Sequence, residues 1–248
     1  MTMLTPDWDS PKAVGVVIST RDGGVSQGRY ASFNLASHTG DSPQAVEHNR
    51  SLLSNRLSGH GVQWMDQVHG TAAFFADSHT IERLPQADAA WTDQAGIAIA
   101  VLTADCVPIV VADLAGTLVG VAHAGWRGLH RGVIATLVNQ LPVATAEVVA
   151  WIGPAIGVEH YEVGEDVWSH FARDHVDALW PHCDDTAKRM LDLSRVAYNQ
   201  LIRLGVGSVT QSGLCTFADS RFYSFRRQQA DDVGETGRFA CVAMLEAS

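Results

Sequence analysis

At 248 residues, 46% of them hydrophobic, the chain is long enough for one large domain or two small ones with a full core. Seventeen Lys and Arg stand against 27 Asp and Glu, and the net charge of −10 argues against nucleic acid or an anionic membrane surface as a general partner. Small anionic ligands remain compatible, because a few local arginines outweigh a diffuse negative charge.

Taken in chain order, MTMLTPDWDSPK carries acids and prolines where a secretion signal has a basic start and an apolar run. AVGVVIS (13–19) predicts a strand, and 20–41 a long loop rich in Gly and Ser. Asp41, Ser42 and Pro43 then cap and start a helix that runs to about Leu57, with Val46, Leu52, Leu53 and Leu57 on one face. Three short apolar strands follow, 97–102, 108–113 and 117–124; their near-continuous apolarity predicts strands covered on both faces. Asp105, Pro108, Asp113, Gly116 and Gly120 interrupt this stretch, so it lacks the ~20 apolar residues of a spanning helix. An amphipathic helix over 128–141, a strand over 147–154, helices over 163–175 and 192–205, and strands over 222–227 and 238–245 complete the reading. Residues 1–248 are therefore expected to form a single α+β catalytic domain, with two sheets packed between helical layers. The four cysteines, Cys106, Cys183, Cys215 and Cys241, form no C-x-x-C and suggest no disulfide framework. The expectation is a soluble, cytoplasmic monomer.

His69 in QVHG, Cys106 in TADC and His123 in AHAGWRG stand out from this background. Two imidazoles and a thiolate are three of the four ligands of a tetrahedral Zn²⁺, leaving one position for water or substrate. Taken singly, each has an ordinary reading: a hydrogen-bonded histidine, a small buried thiol, a histidine ending a strand before a helix start. They lie 37 and 17 residues apart, so spacing alone does not bring them together. What favours convergence is that each ends or joins a predicted neighbouring strand. Arginines beside glycines offer forks for phosphate or carboxylate. Asp88, Asp93 and Asp105 offer acids, supporting groups behind the ligands, or turn caps.

The motifs TRDGGVS, NLASHTGD, HNR, QVHG, ADAAWTD, TADCVPIV, HAGWRG, WIGPAIG with YEVG, and FYSFRR occur together in this order, and in this the chain resembles the YfiH/PgeF family. That family is also called the laccase-domain, polyphenol oxidase or purine nucleoside phosphorylase family, and the likeness runs from about residue 13 to 245. The resemblance implies a four-layer α/β/β/α sandwich with mixed sheets and zinc held by His69, Cys106 and His123. It also implies phosphorolysis of adenosine, inosine and methylthioadenosine, with adenosine deamination. Purine nucleoside and phosphate are then the partners. Arg50, Arg226 and Arg227 are candidates for the anion end, and Asn34, Gln67 and Tyr161 for sugar or base. Asp105 is the candidate general acid. One departure from the family pattern is Ala36 in NLASHTGD, where glycine is usual.

Three other readings compete. A copper polyphenol oxidase could use the same His₂Cys set, although the chain's 11 histidines include no H-x-H pair. Cys106 and His123 could form the nucleophile and base of a hydrolase editing peptidoglycan precursors. Finally, the metal could merely stabilise a binding protein.

Overall fold

The computed structural model describes residues 2–57, 59–231 and 234–246. Two large mixed sheets dominate it. The first has the strand order Met3–Leu4, Val14–Ser19, Phe239–Leu245, Ile97–Thr103, Gly61–Gln63, with only the last pair parallel. The second runs Ser208–Gln211, Val148–Ile152, Val107–Asp113, Val119–Ala124, Ala89–Thr92, Ala73–Phe75, parallel at its two edges and antiparallel within. A small antiparallel sheet joins Glu162–Val163, Arg189–Leu191 and Leu179–Pro181.

The period of two along each strand explains the layering. Ile97, Ile99 and Val101 face the second sheet and pack with Val110, Val121, Val149 and Trp151. Ala98, Ala100 and Leu102 point the other way, onto Phe33, Leu35, Leu53 and Leu57. The outer face of the second sheet, with Ile109, Val111, Ala122 and Ala150, is covered by Leu129, Val133, Leu137, Val196 and Leu201. Helix, sheet, sheet and helix therefore stack in the expected four-layer α/β/β/α order, and the strands covered on both faces are those whose sequences lack polar alternation.

Most predicted elements are present. The helix Pro43–Arg56 starts at Ser42, whose hydroxyl accepts from the Ala45 N–H. Leu193–Arg203 is capped by Asp192. The expected helix over 128–141 is two helices, Trp126–Arg131 and Val133–Gln140, because Gly132 between them is left-handed at φ +92°. Only Glu165–Trp168 of the helix expected over 163–175 is α-helical. The strand expected over 222–227 is absent; Ser224 instead caps the helix Phe225–Ala230 by accepting from the Arg227 N–H. No helix among the described residues is long and apolar enough to cross a membrane.

Candidate active site

The TADC turn carries the chain from one sheet to the other: Ile97–Thr103 belongs to the first and Val107–Asp113 to the second. Cys106 stands at this corner. Across the second sheet, His123 lies in Val119–Ala124, paired in register with Pro108. His69 sits in a bend beyond residue 66 rather than at a strand end. The ligand atoms of these three residues lie within 4.8 Å of one another, with His69 Nε2 3.9 Å from Cys106 Sγ. In a closed tetrahedral set that separation would be about 3.5 Å, so the donors fit a divalent metal after a small contraction. Gly125 makes room for the cluster. A Cβ there would lie 2.8 Å from Cys106 Sγ and 3.0 Å from His69 Cδ2.

A buried carboxylate organises the two histidines. Asp88 accepts from the N–H groups of Val68, His69 and Gly70, at 3.2, 3.0 and 2.6 Å. Its Oδ1 also takes the Nδ1–H of His123 at 2.9 Å. That bond fixes the imidazole's tautomer and leaves Nε2 for the cluster. His69 itself is held at φ +57°, a left-handed conformation that the three successive N–H bonds to Asp88 oppose releasing. Burial raises the pKa of Asp88, but the bond and charge of His123 and the N–H bonds of Gly70 and Val68 outweigh it and hold the carboxyl below its usual range. Burial would likewise raise the Cys106 thiol; the charge and hydrogen bonds of His123 and His69 pull it down to about 6. For His123 burial lowers, yet the Cys106 charge and the Asp88 bond raise it to about 9. The pair thus favours thiolate on Cys106, the form that a metal ligand or a nucleophile requires.

The cluster lies in a cavity of about 350 Å³ whose walls include Gln67, Tyr161 and Arg226 among the predicted contacts. Gln67 is bonded at both ends to the backbone of Leu102, through Nε2 to its carbonyl and through Oε1 to its N–H. Burial keeps the Tyr161 phenol neutral by pushing it far above its usual value. Asn34, Arg50 and Arg227 lie outside the lining. Asn34 is fully buried and bonded to Ala36, Thr39, Asp41 and Arg238. Arg50 stacks on Trp64 and donates to the Leu35 carbonyl. Arg227 donates to the carbonyls of Thr216, Phe217 and Phe222. All of these bonds go to the chain's own backbone and side chains. Asp105, the candidate general acid, does line the cavity. Its two oxygens accept from Thr216 Oγ1 (2.6 Å) and the Arg226 N–H (2.7 Å), and it occupies φ +94°.

Several lining residues escaped the sequence reading: His38, Trp126, Phe225, Gln229 and Arg238. Trp126 could have been found, since HAGWRG places it three residues after His123. Arg238 carries no local signal, being one arginine before an apolar strand.

Residues 15–246 match the model of a family described as multi-copper polyphenol oxidoreductase laccase. The purine nucleoside phosphorylase of Pseudomonas aeruginosa is 42% identical, covering 98% of both chains. Purine nucleoside phosphorylase YfiH of Escherichia coli is 36% identical, again over 98% of both. The crystal structure of a Neisseria meningitidis protein, NMB0706, superposes with a TM-score of 0.92 at 39% identity, over 99% of both chains.

Proposed function

Because this chain belongs to the laccase-domain (YfiH) family, we propose that it is a zinc-dependent purine nucleoside enzyme. It catalyses phosphorolysis of adenosine, inosine and methylthioadenosine, with adenosine deaminase activity. A cytoplasmic monomer acting on nucleoside and phosphate belongs to the same proposal. One observation carries it: His69, Cys106 and His123, scattered in sequence, meet at the wall of a cavity of nucleoside size.

In phosphorolysis the bond from C1′ of the ribose to the purine nitrogen breaks, a phosphate oxygen bonds to C1′, and the departing base must be polarised or protonated. A zinc ion on the His₂Cys set would supply Lewis-acid polarisation at its fourth corner. Asp88 holds His123 in the required tautomer and fixes the bend that presents His69. Tyr161, neutral in its buried setting, can donate a hydrogen bond to the nucleoside without losing its proton. Trp126, Tyr161 and Phe225 give the cavity aromatic faces against which a purine ring can pack and exclude water. The test is base release, read by mass spectrometry, from each nucleoside with phosphate and zinc-loaded protein. No base above background would overturn the reading.

The description of the matched family favours one second reading, copper-dependent phenol oxidation. A single His₂Cys cluster is found among the described residues, whereas four-electron oxygen reduction needs several coppers. Elemental analysis of protein as purified separates the two, since predominant copper with phenol turnover would replace zinc. The Cys106 thiolate also supports a metal-free Cys–His hydrolase. Activity that survives chelation but not alkylation of Cys106 would select it.

A further inference from the structure

Three arginines line the cavity without an acidic partner. Arg127 comes from the helix Trp126–Arg131, Arg226 from Phe225–Ala230, and Arg238 from the residue before Phe239–Leu245. Among the described residues, no carboxylate oxygen lies within 4.0 Å of any of these guanidinium groups. Each guanidinium has five N–H donors. Arg226 uses one nitrogen, on the Glu162 carbonyl at 3.0 Å. Arg238 uses one, on the Thr236 and Gly237 carbonyls at 2.6 and 3.1 Å. The remaining donors have no acceptor among the described residues. Burial lowers the pKa of Arg238, outweighing the opposing charges of Cys106, Glu235 and Asp105.

Both side chains rise from backbone that is itself clamped. The Arg226 N–H is held by Asp105 and the Arg238 N–H by Oδ1 of the buried Asn34. Asp105, the one carboxylate in the lining, has both oxygens engaged. On a chain of net charge −10, this wall is a local concentration of positive charge. Planar forks with free donors on fixed backbone suit a tetrahedral oxyanion.

We propose that Arg226 and Arg238, with Arg127 at the exposed edge, form the subsite for the phosphate co-substrate. The inference rests on the nucleoside phosphorylase reading and specifies its second substrate's seat. Asn34 then acts as a positioning residue for Arg238.

Inorganic phosphate is titrated calorimetrically into the purified holoenzyme, and phosphorolysis is measured at varied phosphate and varied nucleoside. Arg226→Gln and Arg238→Gln should each weaken phosphate binding and raise the KM for phosphate about tenfold or more, as expected for losing a charge-assisted contact. The KM for nucleoside should change less than threefold. Circular dichroism checks folding; if Arg238→Gln does not fold, Arg226→Gln, which gives up one side-chain bond to the protein, decides the matter. Wild-type phosphate affinity in a folded Arg226→Gln variant, or no phosphate binding by the wild type at millimolar concentration, overturns the subsite. Phosphate binding that the variants lose, without any nucleoside cleavage, leaves the subsite standing and removes the nucleoside reading.

Discussion

Gly125→Ala should disable the ligand cluster while leaving the fold in place. The backbone at Gly125 is extended, φ −72° and ψ 170°, which alanine adopts freely. The perturbation is thus purely steric. The added Cβ would sit 2.8 Å from Cys106 Sγ, 3.0 Å from His69 Cδ2 and 3.7 Å from His69 Nε2, where ordinary contacts begin at 3.4 Å. Two ligands must each retreat by about half an ångström, beyond the ~0.2 Å that metal–ligand bonds tolerate. Neither has slack. Cysteine has one side-chain torsion, and the His69 backbone is pinned by Asp88. Metal affinity should fall by at least about 10- to 100-fold, the range seen when ligand positioning is disturbed. The fold should lose only about 1–3 kcal/mol from overpacking. Competition with a chromophoric chelator measures the first effect. The Tm with and without chelator measures the second, and the chelator-induced drop should shrink in the variant. A folded Gly125→Ala protein with wild-type metal affinity would refute the assignment of these residues as ligands.

Three further outcomes are expected. Asp88→Asn replaces one acceptor oxygen by a donor facing backbone N–H groups, so stability should fall by about 1–3 kcal/mol, read by urea unfolding, together with metal affinity. Leu53→Ala, fully buried beneath the first sheet, should cost about 2–5 kcal/mol by the same assay without changing metal stoichiometry. His175 is buried with Nδ1 unpaired among the described residues, and burial followed by the charge of Arg203 holds its pKa below 6.5. A depressed histidine means that the unfolded chain takes up the proton first. Its share of stability is therefore present above pH 6.5 and is lost as pH falls toward the folded pKa. His175→Phe should flatten that part of the unfolding free energy against pH, and an unchanged slope would show that the group does not titrate on unfolding.

How legible these features are in sequence follows from which forces set them. Strands such as Ile97–Thr103 and Val107–Asp113 are specified by burial on both faces, so their apolar runs reveal them. Gly61–Gln63, Ala73–Phe75 and Arg189–Leu191 have three residues each, too few for a period, and exist because a neighbouring strand pairs with them. FYSFRR misleads because aromatic residues favour strands, while Ser224, three residues before the amide it caps, is a helix signal of equal weight. At the site, His69, Cys106 and His123 were readable as a set because ligand chemistry restricts residue type. Asn34, Arg50 and Arg227 were not separable from true lining residues, since a polar side chain that bonds its own backbone looks the same in sequence as one that bonds a ligand. Arg238 was hidden for the converse reason.

The two buried carboxylates show why acid–base roles were hard to assign from residue type. Asp88 and Asp105 each accept hydrogen bonds on both oxygens, and each holds a residue in a left-handed conformation: His69 through its own N–H for Asp88, and Asp105 itself through its side-chain anchors. Such conformations cost on the order of 1–3 kcal/mol apiece and persist only where surrounding bonds over-determine them. Asp88, engaged this way and held below its usual range, is poorly placed to take up a proton, because protonation would remove an acceptor from donors bonded to it. The division of labour is spatial instead. Asp88 ties the His69 bend to His123 and so sets the side that carries the His₂Cys cluster. Asp105, one residue before Cys106, ties the same turn to Arg226 and so couples the ligand cluster to the cationic wall. A displacement at either clamp should therefore be felt on both sides of the cavity, through Cys106 as the shared corner.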